Sequence, residues 1–192
     1  MTATVEPAEF QFVEFDADLI RRIADGLVAA LGIDRPVHVA VDESTPLARV
    51  RTELGDVITI HAESGAFEDS KRPRQQSDVA TTASLGRALL RARDRLSGGF
   101  GEAPPDDQLN LRQVAAWETY TVGRLGRLGV PVNEQRWRYN FRNRHGFTDL
   151  ADEGFDRIWA ADGLTWEQLE TISTAVSATT AQAATTQKGA SA

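Results

Sequence analysis

Two short stretches in the first third of the chain alternate between apolar and polar residues, and they limit the folds open to it. The three valines of Pro36–Asp42 share one face, as do the two isoleucines of Asp56–Ala62. This alternation with β-branched residues is typical of half-buried strands. A third short strand is predicted around Ala48–Arg51, whereas the polar stretch Ser64–Gln76 is predicted to be a loop.

Apolar residues recur at helical spacing through most of the remaining chain. The predicted helices span residues 16–31, about 78–97, 104–128, 133–145, 148–162 and 165–176. Thr165 and Gln168 form a capping-box pattern at the start of the last one. Gly123 and Gly126 predict a close approach of a neighbouring element. We therefore predict an α+β fold, with a small sheet of two to four strands in the N-terminal half packed with about five to six helices, and a helical C-terminal half.

Length and composition favour one ordinary domain. The chain has 192 residues, of which 41% are hydrophobic and 26% are charged, as in globular proteins. The last stretch consists of Ala, Thr, Gln and Ser without apolar periodicity, so it cannot bury enough surface to offset ordering. We predict an N-terminal extension over residues 1–12, a single α+β domain over 13–176 and a disordered tail over 177–192.

The sequence contains no cysteine, which excludes disulfides, thiolate nucleophiles and Cys-based metal sites. The first twelve residues have neither a basic start nor an apolar run, and no stretch approaches the ~20 apolar residues that cross a bilayer. We therefore expect a cytoplasmic protein without a membrane partner.

Charge is segregated along the chain. Residues 1–70 carry a net charge of −9, residues 71–147 carry +7 and residues 148–192 carry −5, giving −7 in total. One interpretation is that these segments neutralise one another within the fold; the other is a basic patch for an anionic partner. The near-cancellation of the totals favours the first.

Histidines are the remaining candidate metal ligands. His38 and His61 lie on the polar faces of the two predicted strands, where they would be cross-strand neighbours, and Asp42 and His145 would complete a site. None of them has metal-ligand spacing, so these two histidines are weak candidates and we predict no metal or other cofactor. The chain lacks a G-x-S-x-G elbow and phosphate-binding glycine motifs, so no catalytic residue is assigned.

The stretch 81–90 reads T-T-A-S-L-G-R-A-L-L. Aligned on its Leu-Gly pair, it resembles the active helix of minimal zincin metalloproteases, which carries H-E-x-x-H. The predicted order of helix, strands, loop and helix over residues 16–97 is similar to that family as well. In zincins the strand before the active helix usually lies at the sheet edge and holds the substrate.

The resemblance implies zinc ligands at positions 83 and 87 and a catalytic base at 84, where this chain has Ala83, Arg87 and Ser84. Alanine donates no lone pair, the arginine cation would repel zinc, and serine is a poor base. The resemblance therefore implies a degenerate domain that keeps a scaffold and a peptide-sized groove without the metal chemistry.

The densest chemical feature is the segment 136–145, which reads R-W-R-Y-N-F-R-N-R-H. In one interpretation, Trp137 and Phe141 anchor the core while the arginines pair with the acidic residues at 149–156. In the other, the segment is a binding surface, for a protein more readily than for nucleic acid because the chain is acidic. The residues of this candidate interaction surface are Arg136, Arg138, Tyr139, Arg142, Arg144 and His145.

Three functions follow from these patterns. The first is a non-catalytic protein-interaction or scaffold protein with an unidentified protein partner, as a degenerate zincin-like domain. The alternative is a nucleic-acid-associated protein that uses the Arg/aromatic helix. A hydrolase is the weakest of the three.

Overall fold

A computed structural model of the chain describes residues 2–176. The strands are β1 (Thr4–Glu6), β2 (Val37–Asp42), β3 (Val50–Leu54), β4 (Ile58–Glu63), β5 (Glu68–Asp69) and β6 (Arg72–Gln76). The helices are α1 (Ala17–Leu31), α2 (Asp78–Leu96), α3 (Leu111–Arg127), α4 (Glu134–His145), α5 (Asp149–Ala160) and α6 (166–176). This architecture confirms the predicted α+β class and the helical C-terminal half.

The described chain divides into two compact units between Asp94 and Arg95. This boundary lies inside the segment 13–176, which sequence analysis took as one domain. The predicted tail over 177–192 lies outside the described residues. No helix within residues 2–176 is long and apolar enough to cross a membrane.

The first unit contains a four-stranded sheet in the order β1-β2-β4-β3. Strands β1, β2 and β4 run parallel, and β3 runs antiparallel to β4 at one edge. Buried and half-exposed residues alternate along β2 and β4 because the valines and isoleucines share one face. The sheet therefore has one apolar face in the core and one polar face.

Helix α1 begins and ends where its sequence predicts. The Asp16 side chain accepts hydrogen bonds from the backbone N–H groups of Asp18 and Leu19, and Gly32 ends the helix at a left-handed φ of 63°. Five apolar residues of one helix face are buried.

Three elements of the first unit differ from their predicted positions. Strand β1 lies inside the segment 1–12 that was assigned to an extension; at three residues it is too short for a periodic signal. Strand β3 begins two residues later than predicted. The loop predicted over Ser64–Gln76 is wrong, because it contains the antiparallel pair β5-β6. That pair is polar and partly exposed, so no apolar alternation indicated it.

The second unit is helical around an aromatic core. Phe100 stacks on Trp117 with ring centroids 4.9 Å apart, and Trp166 packs against both rings. The predicted capping box of α6 is present, because Thr165 and Gln168 exchange side-chain-to-backbone hydrogen bonds of 3.0 and 3.3 Å.

Gly123 confirms the predicted close approach. A Cβ at this position would lie closer than 3.0 Å to the backbone carbonyl oxygen of Trp159 on α5. The start of α3 differs from the prediction: a short 3-10 turn occupies Asp106–Gln108, and the helix begins at Leu111. Asn110 forms a full capping box there, which satisfies the free N–H groups better than the residues after the two prolines.

Candidate functional site

The three positions that correspond to the zincin ligands and base lie in the first half of α2. Ser84 is buried, and its hydroxyl donates a hydrogen bond of 2.8 Å to the carbonyl oxygen of Ala66. Ala83 and Arg87 are half-buried. Ser84 therefore ties the helix to the turn after β4, which is a structural role.

His38 and His61 lie on the polar sheet face but do not share a site. The register places His38 opposite Thr59 and His61 opposite Ala40. His38 is within 2.9 Å of the Thr4 hydroxyl, whereas Nε2 of His61 is 3.3 Å from Oε1 of Glu53. Within residues 2–176, no three His, Cys, Asp or Glu side chains are grouped so that they could hold a metal ion.

Phe141 and Trp137 of α4 have different surroundings. Phe141 is fully buried and meets Phe155 edge to face, with ring centroids 5.9 Å apart. Trp137 is half-buried and packs against the rim of the same core. The core interpretation therefore holds fully for Phe141 and partly for Trp137.

Two arginines of α4 are engaged with carboxylates of α5, as the core interpretation predicts. Arg142 forms a bidentate pair with Asp152, with distances of 2.7 and 2.5 Å. Arg138 binds Asp156 and Glu134, and its guanidinium lies over the Phe155 ring. These hydrogen bonds raise the pKa of both guanidinium groups and lower the pKa of the Asp152 carboxyl.

His145, which sequence analysis placed on the candidate surface, lies in the core of the second unit. Its ring stacks on Phe141, and its Nε2 is 2.8 Å from the Ser173 hydroxyl. Burial lowers the pKa of the imidazole to about 4. A neutral ring is thus held between α4 and α6, where it contributes packing and a hydrogen bond.

Arg136, Tyr139 and Arg144 remain exposed. The side chains of the two arginines have no ionic or hydrogen-bonding partner among the residues that the structure describes. Tyr139 meets Phe147 edge to face, with both rings more than half exposed.

Beside these residues, α3 and α4 border a groove of about 320 Å³. We call it the α3–α4 groove. Its lining residues are Leu111, Val114, Ala115, Glu118 and Thr119 from α3, and Trp137, Asn140, Asn143 and Arg144 from α4. Helix α3 contributes the exposed Leu111 and the half-buried Val114 and Ala115, whereas α4 contributes the half-buried Trp137, two amide groups and an arginine. This is the composition of a small binding pocket, which is mainly apolar with a few orienting polar groups.

The sequence did not indicate the α3 wall of this groove. In a helix predicted over 104–128, Leu111 would belong to the buried apolar face, but it is 60% exposed. The error follows from the predicted helix start at 104, which set Leu111 inside the helix instead of in its first turn. The Asn110 to Gln113 capping box was the signal that marks the true start.

Comparison of the chain with protein-family models, with curated proteins and with solved structures found no match. The groove and the surfaces around it must therefore be interpreted from their own geometry.

Proposed function

We propose that this chain is a non-catalytic protein-interaction module that binds an apolar segment of a protein partner in the α3–α4 groove. The observation that carries the proposal is the apolar α3 wall of the groove, exposed at Leu111, beside Arg144, which lines the groove. The side chains of Arg144 and of Arg136 on the same helix have no partner among the described residues. Apolar anchors seated in a pocket contribute most of the affinity of such interfaces, and unpaired rim charges select the partner. The partner segment would thus carry a large apolar residue flanked by carboxylates.

The degenerate zincin scaffold is the second part of the proposal, and it concerns the first unit. The order α1, β2, β3, β4 and α2 supports it. The edge position that the resemblance implies for the strand before α2 is not met, because β4 pairs with β2 on one side and with β3 on the other. The hydrogen bond of Ser84 to Ala66 fits a helix α2 that packs as in the family but carries no zinc ligands. Metal analysis of protein purified without a His-tag tests this part. About one zinc ion per chain would overturn it.

The nucleic-acid alternative depends on free arginines. Of the four arginines in the candidate surface, Arg138 and Arg142 are neutralised by carboxylates, and this favours a protein partner. A steep salt dependence of binding to labelled single-stranded RNA, lost when Arg136 and Arg144 are replaced by Glu, would instead establish the alternative.

Selection of peptides from a randomised display library on the purified protein tests the main proposal. We expect the enriched peptides to contain a large apolar residue with neighbouring Asp or Glu. Ala115→Phe, which fills the groove, should abolish their binding, and Arg144→Glu should weaken it. The matched control Ala160→Phe adds the same ring at an exposed position of α5 and should bind normally. Selected peptides that bind Ala115→Phe as well as the wild type would refute the groove.

A further inference from the structure

The outer edge of β3 is unpaired. Strand β3 is the last strand of the sheet, and within residues 2–176 only β4 pairs with it. The N–H of Glu63 donates to the carbonyl oxygen of Arg49, so residues 49, 51 and 53 direct their backbone groups toward β4. The backbone groups of Val50, Thr52 and Leu54 therefore face outward and are available to another strand.

A bulge, a proline and a lysine, which often prevent strand addition, are absent from β3. The β3-β4 register runs without a bulge over all five residues of β3, and β3 contains neither proline nor lysine. Its charged residues, Arg51 and Glu53, are of opposite sign and two positions apart, so both lie on the polar face. Arg51 is exposed and has no partner among the described residues. Glu53 is exposed as well, and its carboxylate lies 3.3 Å from Nε2 of His61.

The sequence of β3 is self-complementary when it is read in the opposite direction. We propose that β3 pairs with β3 of a second copy of this chain, antiparallel and across a two-fold axis at Thr52. This register places Val50 opposite Leu54 of the other copy. It also places Arg51 opposite Glu53 of the other copy, and this happens twice because the axis repeats every contact. The two sheets would then join into one of eight strands.

The backbone and the charges select the same register. The outward-facing backbone N–H and C=O groups belong to residues 50, 52 and 54, so these residues must lie opposite one another in the two copies. A register shifted by one residue is therefore excluded. A shift by two residues in one direction would set Arg51 against Arg51, and in the other direction Glu53 against Glu53. Directly opposed like charges are destabilising, so only the pairing centred on Thr52 satisfies both conditions.

Exposed apolar side chains flank the same edge. Leu47, Leu54 and Val57 are 46%, 39% and 42% exposed. The two-fold pairing brings the start of one strand next to the end of the other, so Leu47 of one copy would lie near Leu54 and Val57 of the other. Shielding of these side chains adds an apolar contribution to the backbone hydrogen bonds.

Sedimentation velocity of the full chain over a range of concentrations tests the proposal. The wild type should form a concentration-dependent dimer. Arg51→Glu and Glu53→Arg should each weaken dimerisation by about tenfold or more, because two attractive pairs become repulsive. The double variant reverses both charges and should dimerise like the wild type. Arg157→Glu and Glu167→Arg, at exposed positions of the second unit, are controls for net charge.

Mixing the two single variants gives the sharpest result. Each pairs poorly with itself, but Arg51→Glu opposite Glu53→Arg restores both ion pairs, so an equimolar mixture should form heterodimers. A wild type that stays monomeric at all concentrations would overturn the proposal. A dimer that both single variants form as well as the wild type, or that neither the double variant nor the mixture restores, would overturn it too.

Discussion

Helix α4 in the second unit and strand β3 in the first differ in how far their residues are already engaged within the fold, and in each case the sequence suggests the opposite. The segment 136–145 is rich in arginine and aromatic residues, yet Phe141 and His145 are buried and Arg138 and Arg142 are paired. Strand β3 has an ordinary alternating sequence, yet among residues 2–176 no strand pairs with its outer edge and no side chain pairs with Arg51.

The difference teaches that the availability of a residue is decided by its neighbours in the fold. In α4, Arg142 binds a carboxylate of α5 and His145 binds a hydroxyl of α6. Both partner helices follow α4 closely in the sequence. The plain residues of β3 stay available because β3 is the last strand of its sheet. Candidate functions therefore lie in what the packing leaves unused: the α3–α4 groove and the β3 edge.

The largest expected change in stability separates the side of α4 that faces the core from the side that faces the groove. Phe141→Ala removes a fully buried ring and should lower the free energy of unfolding by about 3–5 kcal/mol. Trp137→Ala removes a half-buried ring and should cost less, about 1–2 kcal/mol. Urea unfolding of both variants measures the difference. Equal costs would place Trp137 in the core and remove it from the groove wall.

Local signals in the sequence predicted local structure well. Asp16 and Gly32 marked both ends of α1, Thr165 with Gln168 marked α6, and Gly123 marked a close helix crossing. Caps and tight contacts depend on a few residue types at fixed spacing, so a single sequence contains them.

The candidate sites could not be predicted in the same way. The position of β3 at the sheet edge follows from strand order, which short-range patterns do not determine. The burial of His145 depends on Ser173, 28 residues away. The groove depends on how α3 and α4 pack, and a shift in the predicted start of α3 was enough to hide it.

Each unit has a glycine inside a helix, and the two glycines differ in the space around them: Gly123 is crowded and Gly26 is not. Gly123→Ala would force a methyl group against the backbone carbonyl of Trp159 and should cost about 3 kcal/mol, because a helix backbone cannot move aside easily. The methyl group of Gly26→Ala in α1 would meet no atom of a neighbouring element within 4 Å among residues 2–176, so this change should raise stability by about 0.5–1 kcal/mol. Thermal unfolding measures both. A tolerated Gly123→Ala would mean that α3 and α5 pack less closely than described.

The buried His145 should make the second unit sensitive to acid. Its pKa is lowered by burial to about 4, against about 6.5 in the unfolded chain. Between these values the unfolded chain binds more protons, so stability is fully present above pH 6.5 and falls as the pH decreases toward 4. By pH 4.5 the loss should be about 2–3 kcal/mol. Urea unfolding at pH 7 and pH 4.5 should show this loss in the wild type and a smaller one in His145→Gln; equal losses would contradict it.

The smallest effect concerns two arginines near the start of α4. Arg138 is assigned a role in stability, whereas Arg136 is assigned a role in binding. Arg138 binds Glu134 and Asp156 and lies over Phe155, whereas the Arg136 side chain has no partner among the described residues. Arg138→Gln should therefore lower stability by about 1 kcal/mol, a modest value because solvent screens the pairs. The loss should shrink at high salt. Arg136→Gln should unfold like the wild type, since the residue is kept for binding in the proposed function. Matching thermal unfolding curves for the two variants at low salt would show that the carboxylates do not hold Arg138, and all the arginines of α4 would then be available to a partner.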